Sequence, residues 1–187
     1  MGGGAIRMVK KAVRFDPKSR WVRYDKATEL WIPNRKRIYL YWFKFLQHAE
    51  RHQTKVVDWS KYEGWGGANE VLGSKFDDWW GNHWIDLFGY KKGEQPKHSL
   101  STNRPKPDGI RYALLVYENL HRGSNWEIAI WLQKKESQKR YGVQSLFFAS
   151  ENVVSGSTDR QEIQSKIGRY KRAADKYLDN VCVGKFP

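Results

Sequence analysis

The chain has 187 residues, 34 Lys plus Arg against 20 Asp plus Glu, and a formal charge of +14. Ten Trp, ten Tyr and eight Phe within a 40% hydrophobic fraction exclude wholesale disorder, because that much apolar surface can offset the entropy of folding. No apolar run approaches the roughly 20 residues that span a bilayer, so no membrane partner is expected. The single cysteine, Cys182, excludes an internal disulfide framework and a multi-Cys zinc site. Met1-Gly2-Gly3-Gly4-Ala5-Ile6 lacks the apolar core of a secretory signal, so a soluble, cytoplasmic protein is expected.

The charge is unevenly placed. Residues 1–55 hold 14 Lys/Arg and 4 Asp/Glu, a net +10, whereas residues 56–95 are net −3. Residues 96–150 are net +5 and residues 151–187 net +2. Such asymmetry points to a polyanion partner, nucleic acid above all, with DNA favoured. An arm that aids solubility or meets an acidic protein is the plainer alternative.

Residues 1–33 read as a basic, partly extended N-terminal arm. Ala12-Val13-Arg14-Phe15 and Arg20-Trp21-Val22-Arg23-Tyr24, around Asp16-Pro17-Lys18-Ser19, suit a short hairpin. Residues 34–187 read as one mainly α-helical domain of about five helices. Asn34 is placed to cap the first, whose apolar stripe is Ile38, Trp42, Phe45, Leu46 and Ala49. Its other face carries Arg35, Lys36, Arg37, Lys44 and Arg51. An aromatic, Gly-rich stretch follows, in which Gly64, Gly66 and Gly67 break any helix.

Ser74 is placed to cap a second helix with Asp77 and Asp78 in its first turn. Phe76, Trp80, Trp84 and Phe88 recur there at steps of four, and Gly89 suits a left-handed end. Gly81 weakens that helix, so a packing reason for it is expected. Residues 89–109 form a Pro/Lys-rich connector. Residues 110–120 then read as a buried helix. Ser124 and Glu127 form a capping box that opens another, through residue 140. Residues 146–149 are a short apolar run, strand or helix. A last helix begins near Asp159, with Ile163, Ile167, Tyr170, Ala174, Tyr177 or Leu178, and Val181 as its stripe.

Four features carry chemistry. The pair of helices around Gly123 has the layout of a helix-turn-helix, in which Arg122, Asn125, Lys134 and Lys135 would meet DNA. An ordinary αα-hairpin shares that layout and is the commoner structure. The aromatics Trp59, Trp65, Trp79, Trp80 and Trp84 could stack bases. Their acidic surroundings and helical spacing favour core packing instead, with a partner interface at Trp59, Tyr62 and Trp65 as the intermediate reading. Asp77, Asp78, His83 and Asp86 follow no recognised metal spacing. Gly64-Trp65-Gly66-Gly67 lacks the Lys-Ser/Thr of a phosphate loop, and Cys182 lacks a nearby His. No catalytic residue, metal ligand or cofactor is therefore expected. The nucleic-acid contacts expected in the basic segment are Lys10, Lys11, Arg14, Arg20, Arg23, Arg35, Lys36 and Arg37.

Three stretches carry a resemblance: Val57-Asp58-Trp59-Ser60-Lys61-Tyr62-Glu63-Gly64-Trp65-Gly66-Gly67, residues 75–89 with Lys75-Phe76-Asp77-Asp78-Trp79-Trp80, and Asn180-Val181-Cys182-Val183-Gly184-Lys185-Phe186-Pro187. With Arg122-Gly123-Ser124-Asn125-Trp126 they resemble a family of tailed-phage and prophage proteins with no assigned activity. The resemblance covers most of residues 35–187 and carries over no functional residue. It implies a phage role, either in handling phage DNA in the host cytoplasm or in the particle. The leading expectation is thus a non-enzymatic DNA-binding protein. The alternative is a structural virion or assembly protein, partnered with further copies of itself or other phage proteins, whose basic arm contacts neighbouring subunits or packaged DNA.

Overall fold

A computed structural model describes residues 22–52, 54–101, 105–133 and 157–187. The protein is mainly helical. Two strands, β1 (Val22–Asp25) and β2 (Leu30–Pro33), precede helices α1 (Lys36–Glu50), α2 (Gly67–Gly73), α3 (Phe76–Phe88), α4 (Pro107–Glu118), α5 (Asn125–Gln133) and α6 (Ser157–Cys182). The apolar run 146–149 and residues 134–140 lie outside the described residues.

The strands pair antiparallel, Tyr24 opposite Trp31 and Arg23 opposite Ile32. Asp25 Oδ2 closes the turn by accepting from the Thr28 backbone N–H at 3.1 Å and from its hydroxyl at 2.7 Å. The partner of β1 is therefore β2. The expected pairing with residues 12–15 lies largely outside the described residues. Trp31 and Tyr90 exchange backbone hydrogen bonds of 2.8 and 3.1 Å, which tie the hairpin to the end of α3. Gly89 fits that junction by its small size. Its φ of −76° is extended rather than left-handed, and a Cβ there would lie 2.9 Å from Leu30 Cδ1.

α1 is the central helix. Its expected stripe is buried, but Tyr39, Tyr41 and Phe43 on other faces are buried too. Phe43 meets Phe76 and Trp79 at ring-centroid distances of 5.6 and 4.8 Å, and Tyr39 meets Phe88 at 4.1 Å. The basic outer face expected for α1 is thus narrowed, because α3 covers one flank while α6 covers another. The caps also differ from expectation. Arg35 rather than Asn34 stands at the N-cap of α1, and Lys75 rather than Ser74 at that of α3, neither with a side-chain cap bond.

The short helix α2 has no counterpart among the expected helices. Gly66 and Gly67, at φ of 82° and 77°, supply the left-handed turn that launches it rather than simply breaking structure. Gln47 of α1 reaches across to donate to the Val71 carbonyl at 2.6 Å. α4 begins at Pro107, inside the expected connector, since proline is tolerated at a first helical position.

α6 packs against α1, α4 and α5. Its stripe Ile163, Ile167, Ala174, Leu178 and Val181 is buried as its spacing requires. The stripe serves two apolar clusters. One gathers Trp42, Phe45, Trp65, Trp79, Leu178, Val181 and Phe186. The other gathers Leu115, Val116, Ile128, Leu132, Ile163 and Ile167, and Tyr170 packs against both. After α6 the chain turns back. Phe186 enters the first cluster, with its carbonyl accepting from Ser101 N–H at 2.7 Å and its N–H donating to Ser101 Oγ at 3.1 Å.

Candidate nucleic-acid interface

Of the cations expected to touch nucleic acid, Lys10, Lys11, Arg14, Arg20, Lys134 and Lys135 lie outside the described residues. The others of the basic segment cluster where the hairpin meets α1. Arg23 is exposed on β1. Lys36 is paired to Asp77 at 2.7 Å and lies 5.8 Å from the centre of the Phe76 ring. Arg37 is exposed and donates from Nε to the Tyr41 hydroxyl at 2.9 Å. It also shares a neighbourhood with α4. Burial raises the Tyr112 hydroxyl above its usual pKa, while the charges of Arg111 and Arg37 pull it back. Arg35, Lys36 and Arg37 thus open α1 in succession, and its first turn holds no acidic residue.

The helical pair around Gly123 forms as expected. Ser124 N–H donates to Glu127 Oε2 at 2.6 Å, and Glu127 N–H donates to Ser124 Oγ at 3.3 Å, a reciprocal capping box. The backbone N–H of Ser124 holds the Glu127 carboxyl below its usual range. The described side chains expected to read DNA are occupied within the fold. Asn125 Nδ2 donates to the Gln164 carbonyl of α6 at 3.2 Å. Arg122 lies 3.9 Å over the Trp131 ring, and its Nε donates to Asn119 Oδ1 at 2.8 Å. The described outward face of α5 instead presents Glu127 and Ile130, the latter 37% exposed.

The partner interface expected at Trp59, Tyr62 and Trp65 needs correction. Tyr62 is 2% exposed and Trp65 0%, so neither can meet another molecule. Tyr62 donates its hydroxyl to the Val181 carbonyl at 2.5 Å and accepts from Trp42 Nε1 at 3.2 Å. Trp65 lies 4.7 Å from Trp79 and 5.2 Å from Trp42, and its carbonyl accepts from Trp79 Nε1 at 3.0 Å. Of the three, only Trp59 reaches the surface, half-buried, with Nε1 donating to Glu50 Oε2 at 3.0 Å. Left-handed glycines fold this acidic stretch back on α1, so its rings go inside, which is the core reading that helical spacing and local charge favoured.

Of the acidic and histidine groups on α3, His83 and Asp77 are occupied structurally. His83 bonds to Glu70 at 2.5 Å and stacks on Trp79, and Asp77 belongs to Lys36. Among the described residues no group of three or more His, Cys, Asp or Glu is placed to hold a metal ion. Cys182 is buried, and burial pushes its thiol up, away from the reactive thiolate.

One set of cations escaped the sequence reading. Arg169, Arg172 and Lys176 are exposed on α6, with half-buried Lys166 beside them. At 100° per residue the first three fall within about 60° of one another, opposite the buried stripe. None of the four makes an ion pair with a described residue. Acids of the same helix border this face: exposed Glu162 stands at its start, Asp179 near its end pairs with Lys55, and Asp175 sits toward Tyr117. Steps of three, three and four from Lys166 were readable in the sequence. The net +2 of residues 151–187 hid them, because it averages one charged face with another.

No family model, curated protein or solved structure matches this chain. No helix among the described residues is long and apolar enough to cross a membrane.

Proposed function

We propose that this is a non-enzymatic nucleic-acid-binding protein, with duplex DNA the favoured partner, that holds its ligand through phosphate contacts from the basic segment 1–55. The observation that carries this reading is the start of α1. Three consecutive cations occupy the positive end of the helix dipole, without an acidic residue in the first turn or a side-chain cap. Each such charge disfavours the helix by about 0.3–1 kcal/mol. A chain selected only for stability would place Asp or Glu there, as α3 does with Asp77 and Asp78. A polyphosphate would convert that repulsion into attraction. Lys36 is partly neutralised by Asp77 and Arg35 is half-buried, so the exposed described contacts are Arg37 and Arg23, beside Lys10, Lys11, Arg14 and Arg20 from the arm.

In this reading the helical pair around Gly123 is chiefly scaffold. The resemblance to tailed-phage and prophage proteins supports phage DNA as the partner, met in the host cytoplasm. Fluorescence anisotropy of the full chain with a labelled 20-bp duplex tests it. Affinity is expected to fall steeply between about 50 and 200 mM salt, by a power set by the phosphates neutralised. Absence of binding at the lower salt refutes the reading.

A further inference from the structure

We propose that the outer face of α6, built from Lys166, Arg169, Arg172 and Lys176, is a second phosphate-backbone contact surface for duplex DNA. The inference rests on the nucleic-acid reading above and adds a site to it. Its first support is geometry. Ten residues separate Lys166 from Lys176, a rise of about 15 Å, which spans about four steps of one strand at about 3.4 Å each. The four cations therefore line one side of the helix over a length that several successive phosphates would cover.

The second support is what the ladder lacks. An exposed helix face is commonly steadied by opposite charges three or four residues apart. Here Lys166 and Arg169, Arg169 and Arg172, and Arg172 and Lys176 are like-charged neighbours at those spacings, each mutually repulsive. No described carboxylate pairs with any of them. The acids nearest the ladder are Glu162, four residues before Lys166, then Asp175 and Asp179, and Asp108 of α4 beside Tyr170. Asp175 and Asp179 lie three residues after Arg172 and Lys176, and Lys55 engages the second of them.

The third support is rigidity. Ile163, Ile167, Ala174, Leu178 and Val181 are all buried on the opposite side, so the helix cannot roll its cations away. The Tyr112–Tyr170 ring contact of 5.5 Å joins α6 to α4 beside this face.

The test measures binding of the full chain to two labelled 20-bp duplexes of unrelated sequence, from 25 to 200 mM salt. The R169Q/R172Q/K176Q variant removes three exposed charges without touching the buried stripe, and circular dichroism checks that it folds. Its plot of log affinity against log salt is expected to be shallower by about 2.7, three contacts at about 0.9 each, equally on both duplexes. Lys185→Gln, an exposed cation outside α6, is expected to leave the slope unchanged, whereas each α6 cation replaced singly lowers it by about 0.9. A folded triple variant with the wild-type slope overturns this surface and leaves the broader reading standing. A wild type that shows no salt-dependent binding overturns both.

Discussion

Replacing Phe186 with Ala should unfold the protein far more readily than its place beside the chain's last position suggests. The ring is fully buried, within 5.8 Å of Trp42, 5.8 Å of Phe45 and 5.5 Å of Tyr177, centre to centre. Removing it forfeits about 2–3 kcal/mol of transfer free energy. The void left among rigid aromatic neighbours adds a further cost, for a total near 4 kcal/mol, within the usual range of about 3–5 for Phe→Ala. The backbone bonds to Ser101 would remain, so the loss is one of packing. For a chain of this size each kcal/mol lowers the melting temperature by about 2–4 °C, so a fall of about 8–16 °C is expected. Thermal unfolding followed by circular dichroism measures it, with Val183→Ala as the control. Val183 is 52% exposed in the same segment, and its truncation should change stability by no more than about 0.5 kcal/mol. A Phe186→Ala melting temperature within about 2 °C of wild type would mean that the ring is not a core residue.

Three further outcomes follow from single sites. Gly81 is exposed in α3 with nothing within 4 Å of the position a methyl group would take, so Gly81→Ala should stabilise by about 1 kcal/mol in urea melts, and a destabilisation would reveal an unseen neighbour. Ser124→Ala breaks the capping box of α5 and should cost about 1 kcal/mol, read by the same melts; no change would show that the cap is dispensable. His98 is buried, its Nε2–H donates to the Glu63 carbonyl at 2.9 Å, and burial lowers its pKa, with Lys97 adding to the effect. The unfolded chain then binds the proton more readily, so its contribution to stability is complete above about pH 6.5 and declines as pH falls below that value. The melting temperature of His98→Asn should accordingly depend less on pH between 7 and 5 than that of wild type, and equal slopes would exclude His98 as a source.

The parts of the fold that are legible in the sequence are those that repeat. The stripes of α1, α3 and α6 recur over at least three turns, and burial enforces such a period whatever surrounds it. Helix ends are less legible. A capping residue competes with its neighbours over differences near 1 kcal/mol, so tertiary context moved the starts of α1 and α3 by one residue and that of α4 to Pro107. α2 escapes notice because seven residues bounded by glycines carry too little period to register. Gly81 proves to have no packing role, and Gly89 serves for space rather than for a left-handed turn. Phe186 gives no local signal at all, since its pocket is assembled from α1, α6 and the segment around Ser101. The site follows the same logic. Trp65 and Tyr62 are visible as aromatic but not as enclosed, and Asn125 is visible as helical but not as bonded to Gln164. The α6 cations are legible by spacing, yet only the buried stripe on the other side shows that they share a fixed outward face.

α6 joins two bodies of apolar contact along a single rod of 26 residues. Ile163 and Ile167 belong to one cluster, while Ala174, Leu178 and Val181 belong to the other. Small proteins open in cooperative pieces, and the change of cluster near Tyr170 is where a partial opening would divide this one. α5 and the first turns of α6 could detach together while the aromatic centre stays closed. The cations from Lys166 to Lys176 span that seam from one side to the other. A ligand that gripped all four would therefore act as a splint, suppressing amide exchange in α5 although it touches none of the α5 backbone.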